Sequence, residues 1–160
     1  MKNFKWLLLL VFYFLIQCSA GEKPTVPTTC PSDLEQKLLE KVQAYRNSLQ
    51  TGSSVLDPVL RRAALAQARH LASQDRLEHS DDQGRGPMQR LNEMGINRSR
   101  VGENIGRAEV KDGSGGSTIL NSWISGSREK KNLENRLFSR IGLAVSSSDN
   151  YCYAVLLMSD

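Results

Sequence analysis

The sequence predicts an α+β fold: a three-layer α-β-α sandwich with a small antiparallel sheet. Three observations carry this. Apolar residues recur at spacings of three and four through the first half of the domain, which marks amphipathic helices. Two short apolar runs close the chain around a polar turn, as a β-hairpin does. Helices mixed with such strands bury their apolar faces by stacking in layers. The chain has 160 residues, with 39% hydrophobic and 24% charged. That length holds one domain, and that composition excludes wholesale disorder.

The N-terminal segment comes first. Lys2 and Lys5 lead into an apolar run from Trp6 to Ile16. The run is too short to span a bilayer, which takes roughly 20 apolar residues. Cys18-Ser19-Ala20 then offers small residues at a cleavage site. Residues 1–20 therefore read as a secretory signal peptide, removed before the protein works. A second processing route stays open. Leu15-Ile16-Gln17-Cys18 resembles a bacterial lipoprotein signal, in which Cys18 is acylated and becomes the new N-terminus. Gln17 fits that signal poorly, so cleavage after Ala20 is the favoured expectation. No transmembrane span is expected in the mature chain.

Processing changes the charge and the cysteine count. Loss of Lys2 and Lys5 lowers the formal net charge of +4 by two units. A nearly neutral chain without a clustered basic face is not a nucleic-acid binder. Of the three cysteines, Cys18 is removed or lipidated. In an exported chain the remaining Cys30 and Cys152 read as one disulfide. The alternative is two free thiols.

Residues 21–32, with Pro24, Pro27 and Pro31, form an extended spacer. The domain occupies residues 33–160. Ser32 is placed to cap a first helix, with Glu35 as its capping-box partner. Leu34, Leu38, Val42, Tyr45 and Leu49 form the apolar stripe of that helix, which Gln50 to Ser54 ends. Asp57 and Pro58 start the second helix as N-cap and first-turn proline. Its buried stripe is Leu60, Ala64, Ala68, Leu71 and Ala72, whose alanines allow close approach of neighbours. Arg61, Arg62, Arg69, Asp75 and Arg76 read as a solvated face, and the helix runs out near Glu78 to Asp82.

A short third helix follows Pro87, with Met88, Leu91 and Met94 inward and Gly95 as its stop. Val101 to Ile105 leads into a strand. Residues 111–117 form a flexible loop. A fourth helix carries Ile119, Leu120, Trp123 and Ile124. Ile141 to Val145 and Tyr151 to Leu157 form the hairpin, joined by the polar turn Ser146 to Asn150. Glu129-Lys130-Lys131, Glu134 and Arg136 alternate in sign and read as a solvated face. Nothing repeats internally.

Several of these segments also carry a family likeness. Val42-Gln43-Ala44-Tyr45-Arg46 comes first, then the alanine-rich helix from Leu56-Asp57-Pro58 to Ala72. Glu78-His79-Ser80 and Val101-Gly102-Glu103-Asn104-Ile105 follow, then Trp123, Asn132-Leu133 and Ile141-Gly142-Leu143. In order and spacing these resemble the CAP superfamily of cysteine-rich secretory, antigen 5 and pathogenesis-related proteins. Within it, the chain is similar to the SCP-like extracellular domain. The resemblance runs from residue 33 to about 158 and implies an α-β-α sandwich with a cleft. In many members two histidines and two glutamates line that cleft and can hold a divalent metal. His79 matches the first histidine and Glu103 the glutamate of the "GENI" signature. Glu129 stands at the position of the second histidine, and Gly126 where some members carry the second glutamate. Two of the four positions depart from the pattern.

The departures bear on chemistry. Zinc takes His and Cys readily, with three or four protein ligands, and the chain has two histidines. His70 lies beside the apolar stripe and reads as a surface residue. The metal ligands are then His79 and Glu103, with Glu129 as the third cleft candidate, for weak binding of zinc or another divalent cation. The favoured alternative is a buried His79–Glu103 pair that fastens the second helix to the strand. No catalytic residue is assigned, since no serine lies in a G-x-S-x-G elbow. Asn97-Arg98-Ser99 is a glycosylation sequon, relevant only in a eukaryotic source.

The functional expectation is a secreted, monomeric, non-catalytic binding module with a degenerate cleft site. It would engage an extracellular protein, a cell-wall component or a lipid, and no nucleic acid. Two rivals stand beside it. One is a metal-dependent hydrolase using His79, Glu103 and Glu129. The other is a lipid-anchored surface lipoprotein, periplasmic or membrane-attached, held through Cys18.

Overall fold

The computed structural model describes residues 29–160. The signal peptide read at 1–20, including Cys18, and spacer residues 21–28 lie outside the described residues. The elements are α1 (Leu34–Ser48), β1 (Val55–Leu56), α2 (Pro58–Gln74), α3 (Pro87–Glu93), β2 (Val101–Glu109), α4 (Gly115–Ser125), α5 (Ser127–Glu134), β3 (Arg140–Ser147) and β4 (Tyr151–Ser159).

The strands order as β1-β3-β4-β2. β4 pairs antiparallel with both β2 and β3, so it has a bonded neighbour on each side. Its side chains alternate between two cores, as the two-residue period of a strand requires. Ala154, Leu156 and Met158 pack with Leu38 and Val42 of α1, Ile119 and Trp123 of α4, and Leu133 of α5. Tyr153, Val155 and Leu157 pack with Leu60, Ala64, Ala68 and Leu71 of α2 and Leu91 of α3. The sheet thus separates α1, α4 and α5 from α2 and α3, which is the expected α-β-α sandwich.

The sheet is mixed rather than purely antiparallel, because β1 pairs parallel with β3. Val55 N donates to Ser139 O and Asp57 N to Ile141 O, each at 2.8 Å. A strand this short leaves no periodicity to read. At the other edge, side chains from the helices seal β2. Asn132 Nδ2 donates to Glu103 O at 3.3 Å, and Trp123 Nε1 donates to Ile105 O at 2.8 Å. Outward carbonyls of an edge strand left bare are templates for another chain.

α2 starts as its sequence dictates. Asp57 Oδ1 accepts from Val59 N at 2.8 Å and Leu60 N at 3.2 Å. The helix then lies directly on β3. A Cβ on Gly142 would strike the backbone of Leu60 and Arg61, so only glycine allows this approach.

Five local expectations are corrected. Ser32 does not cap α1: Asp33 is the N-cap and makes no side-chain cap bond. Glu35 instead accepts from Val145 N at 3.2 Å and pairs with Arg61 at 2.7 Å, across the chain. Met94 is exposed, and Arg90 is buried in its place beside Leu91, because α3 turns Arg90 toward a carboxylate described below. Val101 to Ile105 lies within β2 rather than ahead of it. α4 begins at Gly115, inside the segment expected to be a loop, because Gly115 and Gly116 are buried against α1. α5 forms where only a charged surface run was expected, anchored by buried Leu133.

Cys30 and Cys152 form a disulfide with Cα atoms 5.6 Å apart. It joins the segment before α1 to β4, beside Leu34 and Val110. Among the described residues, no helix is long and apolar enough to cross a membrane.

Candidate functional site

α2 ends at Gln74, with Asp75 in the left-handed conformation at φ 49°. The chain then folds back along the helix and is held from two sides. Gln67 Nε2 donates to Glu78 O at 3.0 Å and to Ser80 O at 3.3 Å. Arg90 Nη1 donates to His79 O at 2.8 Å and to Arg85 O at 3.0 Å. These bonds fix the backbone of His79 beside β2.

Glu103 projects from β2 toward this segment. His79 Nδ1 lies 2.9 Å from Glu103 Oε1. An ionised carboxylate only accepts, so Nδ1 carries a proton and donates it to Glu103. The Arg90 guanidinium pairs with the other oxygen, Glu103 Oε2. Both oxygens of this nearly buried carboxylate are therefore committed. The geometry is that of a fastener from α2 and α3 to the sheet.

Glu129 sits elsewhere. α5 belongs to the opposite layer, and the Glu129 carbonyl accepts from Asn104 Nδ2 at 3.0 Å. Its carboxylate folds over Gly126, where an added Cβ would strike Oε2. A negative charge in the first helical turn is favoured by the helix dipole. Among the described residues, no hydrogen bond or ion pair joins Glu129 to His79 or Glu103. Nor do any three His, Cys, Asp or Glu side chains gather there as a metal set. Zinc takes three or four protein ligands. Here two converge, and a guanidinium already occupies the second oxygen of Glu103. The residues present do not fit a zinc centre in this cleft.

Other charged residues have partners that the sequence did not show. Arg46 is 1% exposed. Its Nη1 donates to Leu133 O and its Nη2 to Phe138 O, each at 2.7 Å; Nε donates to Ser54 Oγ at 2.9 Å. It binds α1 to the end of α5 and the approach to β3, and burial pushes its pKa below the ordinary arginine value. Asp57, beyond capping α2, pairs with Arg98 at 3.1 Å and Arg140 at 3.5 Å. Burial raises its pKa, but the two helix amides and both arginines outweigh this and hold it low. His70, expected on the surface, has a side chain only 8% exposed. Asp75 is exposed as expected, and it also accepts from the buried Tyr153 hydroxyl at 2.6 Å.

A hollow of about 430 Å³ opens beside this region, between α2, α3 and the 81–85 turn. Ala63, Ala66, Gln67, His70, Arg85 and Met94 are among its lining residues, whereas His79 and Glu103 are not. Asp81 organises the turn. Its Oδ1 accepts from Gln83 N and Arg85 N at 3.0 Å each, and its Oδ2 accepts from Arg85 Nε at 2.8 Å. Burial raises the Asp81 pKa, but the Arg85 side chain and the two amides overcome it and bring it down to about 2.

The family model described as CAP, the cysteine-rich secretory protein family, matches residues 39–158. Solved structures share the fold. An outer surface protein from Borrelia burgdorferi is 22% identical with a TM-score of 0.70, covering 82% of this chain and 96% of that one. An extracellular protein containing a SCP domain from Bacillus anthracis is 19% identical with a TM-score of 0.63, covering 79% of this chain and 40% of that one. NaASP2, solved with Zn2+, is 18% identical with a TM-score of 0.56, covering 81% of this chain and 83% of that one. Among curated proteins, none matches the chain by sequence.

Proposed function

The chain belongs to CAP, the cysteine-rich secretory protein family, and from that membership we propose that it acts as a non-catalytic binding module outside the cell. One observation carries the reading. Glu103 spends one oxygen on His79 and the other on Arg90. A general base or metal ligand must reach a reacting atom, and Glu103, 1% exposed with each oxygen already bonded, does not; what the pair leaves accessible is a single imidazole edge on His79. The N-terminal signal pattern and the Cys30–Cys152 disulfide support export to an oxidising compartment.

The test is a comparison of the mature protein with its His79→Ala and Glu103→Gln variants. Zinc titration by calorimetry and hydrolysis of peptide and ester substrates are both measured. The expected result is no zinc binding at about micromolar strength and no turnover that depends on either residue. Turnover lost in both variants, with the fold retained, would replace the binding reading with a hydrolase.

Attachment at the surface is a second reading, favoured by Leu15-Ile16-Gln17-Cys18 and by the outer-surface name of one structural neighbour. Mass spectrometry of the mature N-terminus separates the two. A chain beginning at Gly21 is released, and an acylated Cys18 is anchored.

A further inference from the structure

The two outer edges of the sheet are closed unequally. On β2, Trp123 and Asn132 donate to the outward carbonyls of Ile105 and Glu103. On β3, the short β1 covers only Arg140 and Ile141. Among the described residues, no strand pairs with the outer side of β3 from Gly142 to Ser147. Ile141 O faces that side, since it accepts from Asp57 N. Backbone groups alternate in direction along a strand, so Leu143 and Val145 turn theirs the same way. Val145 shows it: its N–H donates to Glu35 Oε2 at 3.2 Å. A carboxylate oxygen thus stands where the carbonyl of a neighbouring strand would be.

Two hollows lie along this edge and meet at Glu35, which lines both. The one beside β1, about 280 Å³, is walled by Leu39, Leu56, Pro58 and Leu143. Leu56 is 54% exposed. The other, about 340 Å³, is polar, with Arg69, Ser146 and Ser147 in its wall. Arg69 is exposed, and among the described residues it enters no ion pair. Between the hollows, Glu35 reaches over the edge from α1 to Arg61 on α2 at 2.7 Å. The Arg61 side chain is 53% exposed, and an ion pair so open to water contributes little.

We propose that the outer edge of β3 is a docking site for an extended peptide, which adds a strand parallel to β3 along Gly142 to Ser147. Main-chain hydrogen bonds give such additions their affinity, and pockets for alternate side chains give them selectivity. A carbonyl of the peptide takes Val145 N from Glu35, whose carboxylate turns to water with Arg61. Apolar side chains of the peptide enter the hollow of Leu39, Leu56 and Pro58. Its C-terminal end reaches Ser147 and carries an acid that meets Arg69. The chain's own spacer suits this edge poorly, because Pro24 and Pro27 have no amide hydrogen for a ladder. The inference stands apart from the reading of the His79 and Glu103 cleft: the edge takes a peptide or does not, whether or not that cleft turns over a substrate.

The experiment is fluorescence anisotropy on the mature protein. The probe is a labelled peptide of about six residues, an ordinary strand length, alternating threonine and valine and ending in glutamate. Two further peptides carry N-methyl groups on every second amide, in the two possible registers. One register should lose binding about tenfold, as ladder bonds are removed, and the other, whose amides face away from β3, should keep it. Arg69→Glu should weaken binding about tenfold by setting like charges together. Glu35→Ala clears the edge and should tighten binding about threefold, within the worth of one exposed ion pair. Circular dichroism checks that both variants fold. Equal affinity for all three peptides, or affinity indifferent to both substitutions, would overturn the site. So would no binding by either the wild type or Glu35→Ala at about millimolar protein. Self-association of Glu35→Ala without peptide binding would give the edge to a second copy and overturn the peptide.

Discussion

Arg90 and Glu103 are ion-paired with 8% and 1% of their side chains exposed. Removing one partner strands a buried charge, which costs far more than the pair contributes. Arg90→Ala is expected to lower the unfolding free energy by about 3–5 kcal/mol, read by urea denaturation. Replacing both, as Arg90→Met with Glu103→Leu, should recover most of that loss. A double variant as unstable as the single one would show that the pair contributes more than mutual neutralisation.

Arg46 donates to the carbonyls of Leu133 and Phe138 from a fully enclosed position on α1. Arg46→Ala leaves them buried without that donor, at about 3 kcal/mol by the usual cost of charged hydrogen bonds. Arg46→Lys keeps the charge but not the planar fork, so it should fall between the two. Thermal melting of the three proteins ranks them, and a lysine variant as stable as the wild type would refute the geometric account.

Gly142 is a contact point between α2 and β3. Gly142→Ala forces helix and strand apart and should cost about 3 kcal/mol, the upper part of the range for overpacking. Gly113 has open space where its Cβ would be, so Gly113→Ala is the control and should change stability by no more than about 0.5 kcal/mol. Urea denaturation of the two variants side by side checks the contrast.

Asp81 sets an acid limit on the 81–85 turn. Its pKa is about 2 in the folded chain, against about 3.9 for a free aspartate. A group held low in the fold stabilises it fully above the unfolded value, and that stability drains away as pH falls toward the folded one. Acid unfolding followed between about pH 4 and 2 should therefore steepen in the wild type. Asp81→Asn should flatten that part of the curve while lowering stability at neutral pH.

The sequence was most legible where one local rule acted alone. Asp57 followed by Pro58 announced the start of α2, and the apolar runs around Ser146 to Asn150 announced β3 and β4. His79 and Glu103 were found because two motifs named them, and their pairing was the favoured alternative to a metal. Arg90 stayed hidden because a charged residue on a short helix looks like surface until its partner, thirteen positions on, is folded against it. Arg46 was noticed within a motif, but its work depends on carbonyls nearly ninety residues away. α5 was missed because it buries little beyond Leu133, and charge alternation resembles a solvated loop. Glu129 matched a family position by count along the chain, yet its carboxylate curls over its own helix. Spacing in sequence says nothing about which way a side chain turns.

The disulfide has a mechanical consequence. Cys30 is bonded to Cys152 on β4, the strand with a hydrogen-bonded neighbour on either side. A pull on the chain from its N-terminal end passes through this bridge into the middle of the sheet, and α1 is bypassed. Force is thus passed to a strand bonded on both sides before any turn of α1 is stretched. For a domain tethered by its N-terminus, that arrangement makes the sheet, and not α1, the first part of the fold to feel the tether.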